Sequence, residues 1–358
     1  MEKYYLASLN AVPLIGSKTA QKLIGIFGSA ENVWRADLPL FQQAGVNQRI
    51  IDNIIDFRSQ HPDAVEKLID FCRVKKINIC TIYDENYPPI LKEINSAPVV
   101  FYYRGELISN AQRIGIVGTR EPTNYGEKVA RMLGAELAAA GFTIVSGAAK
   151  GIDSFAHEAA LKTGRTVAVL GYGINKIPPD RRKLFEKIID NGGLIMSEFP
   201  PNLDGDKGTF PARNRVIAGL VRGVVIVEAG KRSGALITAG FAADSSRDVF
   251  VVPHNIFFEK GAGCNNLIKV GAFLITGSED ILDFYNVKNK KIESKVEPKI
   301  ELEGDEKIIY EAIPKDDFIT LDEILMKVDI APNEISEIIL KLELKNLIVE
   351  NDDRYSRS

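Results

Sequence analysis

The chain has 358 residues, more than one hydrophobic core usually serves, so its length predicts two or three domains. Hydrophobic residues make up 45% and charged residues 26% of the sequence, a composition that excludes a largely disordered protein. The net charge of −3 excludes a uniformly basic nucleic-acid coat, but residues 305–358 hold 14 acidic and 7 basic side chains, whereas the preceding residues hold 34 acidic and 38 basic ones. We expect these two oppositely charged parts to have different partners.

The beginning of the sequence lacks the basic and apolar regions of a signal peptide, and no apolar run approaches the ~20 residues of a membrane span. Cys72, Cys80 and Cys264 fit neither a zinc site nor a redox pair, and the three histidines offer few metal ligands. We therefore expect a cytoplasmic protein without a membrane segment, with reduced cysteines, and without a metal or a cofactor.

Residues 1–66 show helical periodicity interrupted by glycines, which predicts a small all-helical domain. Its segment VPLIGSKTAQKL resembles a helix-hairpin-helix, a motif whose backbone N–H groups can bind a DNA phosphate. Leu14 occupies the position of the first glycine in that motif, so we favour a hairpin that only packs helices together.

Residues 67–285 alternate short apolar runs with amphipathic helical stretches. The apolar runs are typical of strands buried on both faces of a parallel sheet, and they read RIGIVG, FTIVSG, TVAVLGYG, GLIMSE, VVIVEA and VFVVP. Strand–helix–strand units of this kind predict an α/β fold with a doubly wound, mostly parallel, extended Rossmann-like sheet.

Residues 286–303 are polar and charged without apolar periodicity, which predicts a linker. Residues 304–358 contain three amphipathic helical segments followed by a possible hairpin, LIVENDDRYSR, and this order predicts a winged helix-turn-helix domain. Its third helix would present Asn333, Glu334 and Glu337 to negatively charged DNA, so we favour a protein contact or a packing role over DNA reading.

Small and basic residues follow nearly every predicted strand, at the edge of the sheet where doubly wound folds bind ligands. The stretch VSGAAKGIDSFAH, residues 145–157, joins a strand to a helix through a turn of small residues and is typical of a phosphate site. Together the loops predict a lining for several phosphates. The alternative, in which each charge is merely solvated, could explain one loop but not a cation after nearly every strand.

Other nucleotide-binding classes fit less well. The nearest match to a dinucleotide fingerprint, beginning at Gly171, lacks the third glycine, and there is no P-loop motif. We expect His157 to be a structural residue and Asp153 to cap its helix. Glu228 is expected to be an exposed acid at the mouth of the site, which leaves open a nucleotide-processing enzyme such as a lysine decarboxylase-like phosphoribohydrolase.

Several long motifs resemble those of the DNA-processing protein A (DprA or Smf) family, and they read IVGTREPTNYG, VSGAAKGIDSFAHEAAL, FPARNRVIAGL and VEAGKRSGALITAG. The resemblance implies a non-catalytic protein that binds and protects incoming single-stranded DNA and loads the recombinase RecA during natural transformation. It also implies a homodimer formed through the Rossmann domain.

The resemblance further implies the residues that bind DNA. Arg120 and Lys150 would hold backbone phosphates, and Arg213 and Arg215 would line or brace the same pocket. The full expected set comprises Gly118, Thr119, Arg120, Tyr125, Ser146, Gly147, Lys150, Gly151, Arg213, Asn214, Arg215, Ser233, Gly234, Thr238 and Asn265. Candidate platforms on which bases could stack are Tyr125, Tyr172, Phe210 and Phe257.

Overall fold

The structure is a computed structural model that describes residues 1–287, 302–314, 318–345, 347–351 and 354–357. The chain divides into two compact units, residues 1–292 and 293–358, and each is described by itself. Most of the predicted linker, residues 288–301, lies outside the described residues.

The first unit begins with helices, as the periodicity predicts. They are α1 (Glu2–Asn10), α2 (Ser17–Phe27), α3 (Ala30–Arg35), α4 (Leu38–Gln43), α5 (Gln48–Gln60) and α6 (Ala64–Lys75). Helix α6 crosses the predicted domain boundary at residue 66. Buried side chains of these helices share one apolar cluster with strand residues such as Ile79 and Tyr102, so the helices pack on the sheet.

The hairpin between α1 and α2 packs inward. Val12 and Ile15 are buried, while Leu14 is exposed and adopts a left-handed backbone with φ of 66°. That conformation explains why related hairpins use glycine at this position. The burial of its neighbours agrees with the packing role that the sequence favours.

The rest of the first unit alternates strands and helices. Its strands are β1 (Asn78–Thr81), β2 (Val100–Gly105), β3 (Arg113–Val117), β4 (Thr143–Ser146), β5 (Thr166–Val169), β6 (Leu194–Ser197), β7 (Gly223–Ile226), β8 (Asp248–Val251) and β9 (Phe273–Leu274). Its helices are α7 (Pro89–Lys92), α8 (Asn124–Ala139), α9 (Ile152–Ala160), α10 (Arg182–Asp190), α11 (Thr209–Gly219), α12 (Gly234–Asp244), α13 (Ala262–Lys269) and α14 (Ser278–Phe284). Short 3-10 helices precede α10 and α13.

The strands form one nine-stranded sheet in the order β1-β2-β6-β5-β4-β3-β7-β8-β9. The strands β6, β5, β4, β3, β7, β8 and β9 pair in parallel. At the β6 side, β2 and β1 extend the sheet as antiparallel strands. The doubly wound, mostly parallel prediction is confirmed, and all six predicted strands are present. The antiparallel edge and the short β9 were not predicted.

Alternating side chains of the central strands enter opposite apolar layers. In β3, Ile114 and Ile116 pack in one layer and Val117 in the other, and Val224 and Val225 divide in the same way in β7. Helices cover both faces, which explains why these strands read as continuous apolar runs.

The chain reverses its direction of winding beside β3. From β3 it proceeds through β4, β5 and β6 on one side, and it then crosses to β7 and β8 on the other side. The loops that follow β3 and β7 therefore diverge, and such a switch point opens a crevice at the carboxyl ends of the strands.

The second unit contains α15 (Gly304–Ala312), β10 (Ile319–Thr320), α16 (Leu321–Leu325), α17 (Pro332–Leu344), β11 (Ile348–Asn351) and β12 (Arg354–Arg357). Its strands form an antiparallel sheet in the order β10-β12-β11. Apolar residues such as Ile309, Ile324 and Ile339 form its own core. The three predicted helices and the predicted hairpin are present.

Candidate functional site

A cavity of about 860 Å³ lies at the switch point of the sheet. Its walls come from the loops after β3, β4, β6, β7 and β8 and from α11 and the start of α12. The predicted residues that line it are Gly118, Thr119, Arg120, Arg213, Asn214, Ser233, Gly234 and Thr238. These residues lie together because loops at the carboxyl ends of adjacent parallel strands converge there, and their role in DNA binding stays a prediction.

The lining of the cavity is strongly cationic. It contains five basic side chains and two carboxylates, and the basic ones are Arg120, Lys207, Arg213, Arg232 and Lys260. None of them forms an ion pair with a residue that the structure describes, and of the five only Arg213 is attracted by a carboxylate of the lining, that of Asp153. Cations without protein counterions on the wall of a crevice create a positive potential that attracts anions.

The two carboxylates of the lining are already occupied by hydrogen bonds. Asp206 accepts from the backbone N–H groups of Gly208 and Thr209 at 2.7 and 2.8 Å, and these bonds lower the pKa of its carboxyl. Asp153 accepts from Gly147 and Ala149 at 3.1 and 3.3 Å. These bonds hold both carboxylates in place, and five cations against two acids leave the lining with an excess of positive charge.

Arg213 braces the floor of the cavity. Its Nη1 donates to the carbonyl oxygens of Gly147 and Val169, both at 2.6 Å, and only 6% of the residue is exposed. Burial lowers the pKa of Arg213 and raises that of Asp153, and the attraction between the two charges opposes both shifts. The Nη2 atom of Arg213 makes no hydrogen bond with the described residues, so the side chain can both brace the turn and face a ligand.

The turn after β4 is packed tightly against the loop after β3. Gly151 has φ of 81°, and a Cβ at this position would lie 2.5 Å from the carbonyl oxygen of Thr119. The same carbonyl oxygen accepts from the N–H of Ile152 at 3.2 Å. Only glycine fits here, because both the left-handed backbone and the close approach exclude a side chain.

The beginning of α12 also faces the cavity. Ser233 caps this helix by accepting from the N–H of Ala235 at 3.3 Å, and Asn214 donates to the carbonyl oxygen of Gly234 at 3.3 Å. A helix of 11 residues that starts at the wall adds its positive dipole end to the cationic side chains.

Three of the expected DNA-binding residues, Ser146, Gly147 and Arg215, do not line the cavity. The buried Ser146 hydroxyl donates to the carbonyl oxygen of Ile116 at 2.6 Å, so it is not free for a phosphate. Arg215 is paired with Glu198, whose side chain is 12% exposed. Gly147 is buried beneath Arg213, so it faces the floor rather than the opening.

The remaining expected residues surround the cavity without lining it. Lys150 is exposed outside the lining, and Gly151 shapes the turn. Asn265 bonds both the N–H and the carbonyl oxygen of His254 at 3.1 and 2.9 Å. Tyr125 lies in a separate pocket described below.

The structure also corrects the expectation for Glu228. Its exposed fraction is 0%, and its carboxylate accepts from the Thr123 hydroxyl at 2.6 Å and from the Thr123 N–H at 3.2 Å. Glu228 does not line the cavity. It secures the start of α8 instead of facing a ligand.

His157 is a structural residue, as the sequence favours. It is fully buried, with Nδ1 at 2.5 Å from the Thr166 hydroxyl. That hydroxyl donates to the carbonyl oxygen of Ile144 at 2.7 Å, so Nδ1 carries the proton. Burial lowers the pKa of His157 to about 3, with smaller effects of Arg181 and Arg213. Asp153 organises the preceding turn rather than capping its own helix.

Sequence reasoning missed two of the cations. Lys260 lies in the loop after β8, and Lys207 precedes the FPARNR motif. Lys260 could have been predicted, because it follows a predicted strand. Lys207 lies in a long loop, and no feature of the sequence there indicates that it reaches the cavity. Phe210, a candidate platform, does line the cavity, and the Arg120 guanidinium lies 5.5 Å from its ring centroid.

Among the described residues, no group of three or more His, Cys, Asp or Glu side chains is placed to hold a metal ion. Cys72, Cys80 and Cys264 are buried and unpaired. In the described part of the chain, no helix is both long and apolar enough to cross a membrane.

Comparison with known proteins identifies the family. The sequence profile described as DNA recombination-mediator protein A matches residues 78–286, which include every residue that lines the cavity. The chain belongs to the DprA/Smf family. Members of this family are DNA-processing proteins, and the resemblance seen in the motifs is confirmed.

Individual DprA/Smf proteins match over much of their length. Protein Smf from Synechocystis is 40% identical over 289 residues, which cover 78% of this chain and 72% of that protein. DprA from Streptococcus pneumoniae is 43% identical over 208 residues, or 56% of this chain and 72% of that protein.

Solved structures of DprA share the fold. The X-ray structure of S. pneumoniae DprA has a TM-score of 0.67 and 34% identity, and the match covers 79% of this chain and 98% of that one. Helicobacter pylori DprA, whose structure was reported for its single-stranded DNA binding mode, has a TM-score of 0.53 and 30% identity, with 59% and 96% coverage.

Proposed function

We propose that this chain binds single-stranded DNA in the cationic cavity without cleaving it. The observation that carries the proposal is the group of four cations without protein counterions, Arg120, Lys207, Arg232 and Lys260, around one crevice. Membership of the DprA/Smf family and the single-stranded DNA binding of the H. pylori relative support it.

The lining suits a sequence-independent ligand. Arg and Lys contacts to phosphates gain affinity by releasing counterions, whatever the base sequence. Phe210 offers a ring on which an unpaired base can stack, and the start of α12 offers N–H groups to a phosphate oxygen. A single strand exposes both its phosphates and the faces of its bases. The cations would bind the phosphates, and the ring of Phe210 would stack on a base.

The geometry disfavours the alternative of a nucleotide-processing enzyme. That reading depends on Glu228 as an acid at the mouth, and its carboxylate is buried and bound by Thr123. Asp153 and Asp206 are the carboxylates of the lining, and both already accept backbone hydrogen bonds. A general acid or base must lie within hydrogen-bond reach of the substrate proton that it transfers, whereas these two carboxylates are held by the backbone.

We extend the proposal to the partners that the family resemblance implies. The chain would protect incoming strands and load RecA on them during natural transformation in the cytoplasm. It would act as a homodimer through the Rossmann domain, and the edge strand β9 supports this because Phe273 and Leu274 are exposed there. Replacing both with Asp should lower the sedimentation coefficient if this edge forms the dimer.

The test is a fluorescence-anisotropy titration with labelled oligothymidylates of increasing length, the matching duplexes, and unlabelled thymidine monophosphate as a competitor. We expect affinity to rise with strand length and to exceed that for duplex, with little competition by the mononucleotide. Saturation of the site by the mononucleotide, or no binding of any strand, would contradict the proposal and favour the alternative of a nucleotide-processing enzyme.

A further inference from the structure

A second pocket of about 660 Å³ opens beside the cationic cavity and is rich in aromatic side chains. We call it the aromatic pocket, and its lining consists of Thr123, Tyr125, Pro253, His254, Asn255, Phe257 and Phe258. Tyr125 is 48% exposed and Phe257 is 88% exposed. Ile256, next to Phe257 in the chain, is 83% exposed, and a patch of exposed apolar side chains such as this one is typical of a binding site.

The floor of the aromatic pocket is fixed. The His254 ring lies edge-on to Tyr125, with centroids 5.4 Å apart, and at 5.8 Å from the ring of Phe258. Its Nε2 atom lies 2.8 Å from the carbonyl oxygen of Val227, and Asn265 holds its backbone. His254 thus supports the rings beside it, and the pocket is built before any ligand arrives.

Two loops each contribute to both the aromatic pocket and the cationic cavity. The loop after β3 carries Arg120 on the cavity and Thr123 on the pocket. The loop after β8 carries Phe257 on the pocket and Lys260 on the cavity. The Lys260 ammonium donates to the carbonyl oxygen of Glu121 at 3.4 Å, which joins the two loops between the two sites.

We propose that the aromatic pocket binds an unpaired nucleobase of the strand whose phosphates occupy the cationic cavity. This inference rests on the proposed function. The lining of the pocket contains no Asp, Glu, Lys or Arg side chain, so the pocket suits a base rather than a phosphate. Aromatic rings stack on every base, while the side chains of Asn255 and Thr123 offer polar atoms to a base edge.

The experiment compares oligothymidylate with an abasic phosphodiester strand of equal length. The ratio of the two dissociation constants isolates the contribution of the bases from that of the phosphates. Stacking of one base is worth about 5- to 150-fold in affinity. We therefore expect Phe257→Ala and Tyr125→Ala to lower the preference for oligothymidylate about 5-fold or more, and Phe257→Trp to retain it.

Matched variants separate this inference from the proposed function. Tyr83→Ala removes another exposed aromatic side chain, 58% exposed and outside both sites, and should leave the ratio unchanged. Arg120→Ala should weaken both strands equally and keep the ratio. An unchanged ratio in Phe257→Ala and Tyr125→Ala, while Arg120→Ala still weakens binding, would overturn the aromatic pocket alone.

Two further outcomes count against the inference. A change of sedimentation coefficient in Phe257→Ala, without a change in the ratio, would show that a second copy of the chain occupies the pocket. Failure of the unaltered protein to bind either strand would overturn the proposed function and the base site together. Because Phe257 is exposed, its substitution should leave folding intact, and thermal unfolding of each variant checks this.

Discussion

The guanidinium of Arg213 donates to the carbonyl oxygen of Gly147, 66 residues earlier in the chain, at 2.6 Å. This bond joins α11 to the turn after β4 and places the arginine beside Asp153. A Cβ on Gly147 would lie 2.6 Å from the same guanidinium, so the glycine and the arginine require each other. Two motifs that are far apart in sequence thus form one floor for the cavity.

We expect Arg213→Met to lower the free energy of unfolding by about 3–5 kcal/mol, because the buried Asp153 would lose its opposite charge. Urea denaturation at pH 7 measures this. The double variant Arg213→Met/Asp153→Asn should recover part of the loss. Arg120→Ala is the control and should change stability by less than about 0.5 kcal/mol, because Arg120 is exposed and forms no ion pair with the described residues. Equal stability of Arg213→Met and Arg120→Ala would contradict the bracing role.

The burial of His157 should make stability depend on pH. Its pKa falls from 6.5 to about 3 in the folded protein, so the unfolded chain binds more protons between these values and stability falls as the pH drops below 6.5. We expect a loss of about 1 kcal/mol between pH 7 and 5.5 from this residue. Urea titrations at both pH values should show a smaller change in His157→Gln, and identical changes would argue against it.

The acidic C-terminal part should weaken DNA binding through its negative charge. Residues 305–358 carry a net charge of −7, from 14 acidic and 7 basic side chains, on the same chain as the cavity. Deleting residues 290–358 should tighten binding of single-stranded oligonucleotides, and the gain should shrink as salt is added because salt screens exposed charges. Anisotropy titrations of both proteins at two salt concentrations measure this, and unchanged affinity at low salt would refute the effect of this charge.

Much of the fold could be predicted from the sequence because buried parallel strands leave a clear pattern. RIGIVG and VVIVEA lie between helices on both faces, so each reads as an uninterrupted apolar run. The edge strand β1 was not predicted. It has only four residues and pairs with one neighbour, so it lacks the long apolar run of a central strand. The two-residue strand β9 has almost no pattern of its own.

The candidate site could be predicted only to the level of its loops. Which loops converge follows from the order of the strands, and on that basis Arg120 and Ser233 were expected at the edge of the sheet where the cavity lies. The environment of each side chain depends on residues that are distant in sequence. Arg215 meets Glu198, and Glu228 meets Thr123, so neither exposure nor pairing could be inferred from local spacing.

The most direct test of the cationic cavity is the salt dependence of single-stranded DNA binding. The logarithm of affinity falls with the logarithm of salt concentration by about 0.7 for each phosphate neutralised. The variant Arg120→Ala/Lys260→Ala should therefore reduce the slope by about 1.4. The matched control is Lys162→Ala/Lys187→Ala, which removes two exposed lysines at the opposite end of the sheet. Lys162 follows α9 and Lys187 lies in the last turn of α10, so this variant should keep the slope. Equal slopes for both variants and the unaltered protein would contradict a phosphate site in this cavity.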